Sequence, residues 1–106
     1  MLDAAQEAVG FAEGRTEADL ESDRMLLLAL IQSLEVIGEA ASKVSEECRE
    51  KFPQIDWANA IGMRNRLIHA YFDINLPIVW RTINEDLPPL ISLLSAALIA
   101  DEPDFK

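Results

Sequence analysis

The chain has 106 residues, a formal net charge of −10 and 50% hydrophobic residues, with one cysteine, one histidine and one tyrosine. That length suits one domain with a modest core, and a lone Cys48 excludes an intrachain disulfide, so a reducing cytoplasm is the expected location. The acidic balance excludes broad electrostatic tracking of nucleic acid, and no apolar run is read as reaching the ~18–20 residues of a membrane span.

The hydrophobic spacing predicts four helices. The first spans residues 2–13, with Gly14 as its C-terminal cap. Its acidic, amphipathic start lacks the basic segment of a signal peptide. Thr16 followed by Asp19 caps a short turn through Leu20. A long second helix is expected over 22–51, because Leu27, Leu30, Ile31, Leu34, Ile37, Ala41 and Val44 recur at three- and four-residue spacings until Pro53 stops the run. Asp56 is the N-cap of a third helix over 57–71. Asn75 caps a fourth, with Pro77 tolerated in its first turn, running through Trp80, Leu87 and Leu98. Pro88 and Pro89 fall inside that run and should kink or break it, since neither carries an amide donor. Short connections then give an all-α, antiparallel four-helix bundle with a kinked C-terminal helix and a frayed tail at 101–106.

Scarce chemistry concentrates on the third helix. Residues 57–84 hold three of the nine basic side chains (Arg64, Arg66, Arg81) and one of the nineteen acids (Asp73), a small positive island in an acidic molecule. Within it lie Arg64, His69 and Tyr71, the groups needed to grip a phosphodiester and move protons around it. At 100° per residue, Arg64 and Tyr71 differ by only about 20° and share a face. Asn65 and His69, four apart, share another, where the amide can orient the imidazole. Arg64 and His69 lie about 140° apart. Either the helix distorts near His69, or a second copy completes the site across a two-fold axis. On composition alone, a packed or surface histidine and a core tyrosine with its hydroxyl at the rim are the plainer readings. Cys48, between Glu47 and Arg49 in a helical pattern, reads as a bystander thiol.

The run Arg64-Asn65-Arg66-Leu67-Ile68-His69-Ala70-Tyr71 resembles the Arg, four residues, His, one residue, Tyr pattern of the HepT-like toxins of the HEPN superfamily. Leu34-Glu35-Val36-Ile37-Gly38-Glu39-Ala40-Ala41 is similar to that family's long-helix signature, and Ile61-Gly62-Met63, Val79-Trp80 and Glu85-Asp86-Leu87-Pro88-Pro89-Leu90 fall where the family pattern places them. The likeness covers roughly residues 2–98, so residues 1–106 are expected to form one HEPN/HepT-like domain. What it implies is the toxin of a type VII toxin–antitoxin system: a metal-independent endoribonuclease, without a cofactor, acting as a homodimer. Arg64 and His69 would be catalytic, with Asn65 and Arg66 supporting them. Tyr71 would accept AMP from a minimal nucleotidyltransferase antitoxin of the MntA type, which can assemble with the toxin into a larger hetero-oligomer. The competing reading is a non-catalytic HEPN helical dimer that binds a nucleotidyltransferase or a nucleotide.

Overall fold

The computed structural model describes residues 1–68, 75–99 and 105, apart from the side chains of Arg64, Arg66, Leu67 and Ile68. The described residues are all-α, without a strand among them. Helix α1 spans Leu2–Ala12, α2 Glu17–Ser22, α3 Arg24–Lys43, α4 Glu46–Lys51, α5 Trp57–Ile68, α6 Leu76–Arg81 and α7 Leu87–Ile99, with a π-helical turn over Thr82–Asp86 joining the last two.

Helix α3 is the spine. Leu30, Leu34, Ile37 and Ala41 are wholly or almost wholly buried along one stripe, and both α1 and α5 pack on this helix. The alanines Ala5 and Ala8 give α1 a narrow buried face. Ile83, Leu87 and Leu94 close the core from the C-terminal run. By length and composition α3 is also long and apolar enough to cross a membrane, contrary to the expectation that no such run exists. Here its buried stripe packs on neighbouring helices, while Met25, Leu28 and Val36 are exposed together with Arg24, Glu39 and Lys43.

The start of α3 is fixed by local hydrogen bonding. Gly14 takes a left-handed φ of 73°, which lets the chain leave α1. The Asp19 carboxylate then accepts from the Thr16 backbone N–H at 2.7 Å, as expected of a capping pair. Asp23 caps α3 by accepting from the Leu26 N–H at 3.1 Å. Arg15 donates to both carboxylates, at 3.4 Å to Asp19 and 2.7 Å to Asp23, tying the α1–α2 turn to the head of α3.

One boundary differs from expectation, and the disturbance expected at the two prolines takes the form of a π-helical turn. The long second helix is not continuous to residue 51: it stops at Lys43, where Val44 adopts extended ψ 132°. Ser45 begins α4 by accepting from the Cys48 N–H at 3.1 Å, and Glu46 and Glu47 favour a new N-terminus there. The Arg49 Nη2 donates back to the Ala41 and Ser42 carbonyls at 3.2 Å, supplying the terminal acceptors of α3 with a donor. At Pro88-Pro89 the helix neither stops nor breaks. The carbonyls four residues earlier belong to Asn84 and Glu85, inside the π-helical turn. The Leu87 N–H bonds the Thr82 carbonyl five residues back, so the wider turn takes up the crowding that the prolines bring.

Residues 101–104 and 106 of the tail expected to fray lie outside the described residues. Phe105, however, is fully buried, edge-on to Phe52 at 5.3 Å and to Trp57 at 5.4 Å.

Candidate functional site

Helix α5, which carries Arg64, Asn65 and Arg66, is anchored at its N-terminal end. Asp56 caps α5 by accepting from the Asn59 N–H at 3.0 Å. The Trp57 indole N–H donates to the Phe52 carbonyl at 3.2 Å, while its ring meets Phe105. Ala60 and Met63 are almost fully buried and mark the inward side of α5, which packs on α3. With Met63 inward, Asn65 lies about 200° further round, and it is exposed, as that phase requires.

Of the residues singled out from the sequence, the backbones of Arg64, Asn65 and Arg66 are placed in the last two turns of α5. The Asn65 side chain faces solvent. The side chains of Arg64 and Arg66 are not among those described, and His69 and Tyr71 lie outside the described residues, so no distance joins the four. The third arginine of the island, Arg81, is exposed and sits 3.9 Å from Glu85, one turn on. Such a long, solvated contact contributes little.

Beside this helix lies a feature not foreseen from the sequence. A cleft of about 220 Å³ opens between the first half of α5 and the π-helical turn with the head of α7. Met63, Leu90 and Leu93 form its apolar floor, and Asp56, Glu85 and Asp86 stand around it. Its carboxylates come from positions about 30 residues apart, so linear spacing carries no signal of it. Among the described residues no group of three or more His, Cys, Asp or Glu side chains is arranged to hold a metal ion. A cleft lined by three carboxylates repels phosphate.

The profile of the family described as Ribonuclease HepT-like matches residues 1–97. This all-α chain, with its arginine-bearing helix packed on a long central one, belongs to the ribonuclease HepT-like family. Among its relatives is a Methanocaldococcus jannaschii protein named "Putative RNase MJ1380", 34% identical over 90 residues, which span 85% of this chain and 83% of the relative. The Caldanaerobacter subterraneus subsp. tengcongensis protein "Putative RNase TTE0752" is 41% identical over 78 residues, 74% of this chain and 70% of that one. A Thermococcus cleftensis protein named "Probable ribonuclease HepT" is 38% identical over 72 residues, covering 68% and 66% of the two chains. No solved structure matches the chain.

Proposed function

We propose that this protein is a metal-independent endoribonuclease, the toxin of a toxin–antitoxin pair, working in the cytoplasm as a homodimer of single-domain chains. The observation that carries the reading is the coincidence of two things. The ribonuclease HepT-like family match runs through residue 97, and Arg64-x4-His69-x-Tyr71 lies intact within it.

In this reading His69 takes the proton of a ribose 2′-hydroxyl as that oxygen attacks the adjacent phosphorus. An imidazolium then protonates the departing 5′-oxygen, leaving a 2′,3′-cyclic phosphate and a 5′-hydroxyl. An unperturbed imidazole pKa near ~6.5 makes both protonation states accessible at neutrality. Arg64 offsets charge on the non-bridging oxygens as phosphorus becomes pentacoordinate. Asn65 orients His69 or the phosphate, and Arg66 adds an RNA contact. A second copy brings a second Arg64/His69 set into the same cleft, which removes the difficulty that the two lie about 140° apart on one regular helix.

Tyr71 is the switch. A partner nucleotidyltransferase of the MntA type adds AMP to its hydroxyl, placing a phosphodiester charge and a base at the rim of a cleft that must admit RNA. The partner and the dimer can then assemble further. The test of this control is Tyr71→Phe in the presence of the partner and ATP: RNA cleavage should persist, and equal neutralisation of the variant would exclude covalent control at this residue.

A second reading, a HEPN dimer that binds without cutting, draws support from the net charge of −10 and the acid-lined cleft on the same helix. Cleavage of RNA by purified protein with a chelator present separates the two. Chelator-resistant cleavage supports the nuclease, and intact RNA supports the binding module.

A further inference from the structure

We infer that the outer face of α3 is a self-association seam, on which the α3 of a second copy packs antiparallel across a two-fold axis. At 100° per residue, Met25, Leu28, Ala29, Gln32 and Val36 fall within an arc of about 100°, on the side of α3 opposite its buried stripe of Leu30, Leu34, Ile37 and Ala41. Met25 is 82% exposed, Leu28 49% and Val36 41%. Among the described residues these three and Phe11 make up four of the six large hydrophobic side chains left in solvent. Helix α3 is apolar enough to cross a membrane, yet only 44% of that run is buried in the fold. A helix apolar on two sides has more to bury than one core takes. Phe11 adds to the same surface. Arg15 ties the end of α1 to the head of α3 through Asp23, and Phe11 lies one turn on from Glu7, which lines a groove with Gln32 and Val36.

The face is complementary to itself. A two-fold axis across α3 lays each edge of the stripe along the same edge of the second copy, in reverse order. Arg24 and Glu35, eleven apart, differ by about 20° and share one edge. Among the described residues neither has an ion-pair partner. With the axis midway between them, beside Ala29, each Arg24 meets Glu35 of the other copy, and the small Ala29 side chains let the helices approach closely. The same register brings Met25 near Val36 of the second copy, where the groove of about 270 Å³ between α1 and α3 takes a flexible methionine side chain. The seam is one helix stripe with Phe11, smaller than the ~800 Å² per partner of a standard interface, so the association is reversible. A lipid surface suits the face less well, because Gln32 sits at the centre of the stripe and the chain carries a net charge of −10. The inference deepens the proposed homodimer by naming a seam for it. It uses none of Arg64, His69 or Tyr71, so loss of the seam and loss of the nuclease reading are separate results.

The test is sedimentation equilibrium of the full chain across a wide concentration range, with circular dichroism confirming the helical fold of each variant. A reversible monomer–dimer equilibrium is expected. Met25→Asp, at a position 82% exposed in the single chain, should raise the dissociation constant on the order of tenfold. Arg24→Glu and Glu35→Arg should each weaken association, because like charges then meet across the seam. The double variant Arg24→Glu/Glu35→Arg should restore it. A chain monomeric throughout, a dimer indifferent to all three single changes, or a double variant no tighter than the singles would overturn the proposal. So would binding of the monomer to phosphatidylcholine vesicles that Met25→Asp abolishes, which would make the face a lipid surface. RNA cleavage plays no part in the readout. An active chain that fails these tests keeps the nuclease reading and loses the seam, and an inactive one that passes them keeps the seam.

Discussion

Phe105 lies edge-on against Trp57, ring centroids 5.4 Å apart at an interplanar angle of 60°, and so joins the end of the chain to the first residue of the helix that carries the candidate site. The same ring meets Phe52 at 5.3 Å, and Phe52 accepts the Trp57 indole N–H. Phe105→Ala should therefore lower the unfolding free energy by about 2–3 kcal/mol, the burial of one phenyl ring, with part of the loss from the aromatic pairs. Deleting residues 100–106 should cost about as much, measured by urea denaturation. Unchanged stability in both variants would mean that the ring adds nothing to the anchoring of α5.

The Arg15–Asp19–Asp23 cluster makes stability depend on acid. Hydrogen bonds from the Arg15 side chain and the Leu26 N–H hold the Asp23 carboxyl below its ordinary 3.8. The Thr16 N–H, then Arg15, does the same for Asp19. A carboxylate held lower in the folded state contributes stability that is fully present above the unfolded value. It is lost as pH falls through the folded value, because the unfolded chain then binds more protons. Unfolding free energy should thus be flat in this contribution above about pH 5 and fall below pH 4. Asp23→Asn, which keeps a capping oxygen, should flatten the fall. A variant as acid-sensitive as the parent would show that other carboxylates dominate.

Three glycines separate backbone freedom from packing. A Cβ placed on Gly10 or Gly62 meets nothing within 4 Å, and both sit inside helices. Gly10→Ala and Gly62→Ala should each raise stability by about 0.5–1 kcal/mol. Gly14, at φ 73°, should respond in the opposite sense, with Gly14→Ala costing about 1–2 kcal/mol because an L side chain is strained there. Thermal unfolding of the three variants checks both signs.

Much of this architecture was legible in the chain. The caps at Thr16, Asp56 and Asn75 fall where the sequence puts them, because each is a local contest between a short polar side chain and the next turn's amides. Ser45 was missed although it has the same chemistry. Apolar periodicity runs right up to it through Val44, and the deciding Arg49 contacts reach back seven and eight residues. Pro88-Pro89 signalled a disturbance correctly but not its form, since a π-helical turn depends on where the widened hydrogen bond falls. Phe105 was unreadable as an anchor because its partners lie some 50 residues away. The acid-lined cleft was hidden for the same reason. At the candidate site, the exposure of Asn65 followed from helical phase once Met63 was buried. The distances among Arg64, His69 and Tyr71 stay a matter for chemistry.

That chemistry is tested most directly by the ends of the RNA products. Purified protein should cut single-stranded RNA in the presence of a chelator and leave 2′,3′-cyclic phosphate and 5′-hydroxyl ends. His69→Ala should lower the rate by about 10²–10⁴-fold, the usual contribution of a general acid–base. Arg64→Ala should lower it by about 10²–10³-fold, as loss of one oxyanion-stabilising group does. Cleavage at the parental rate by either folded variant, or products ending in 5′-phosphate, would contradict the assignment of Arg64 and His69 as a ribonuclease pair.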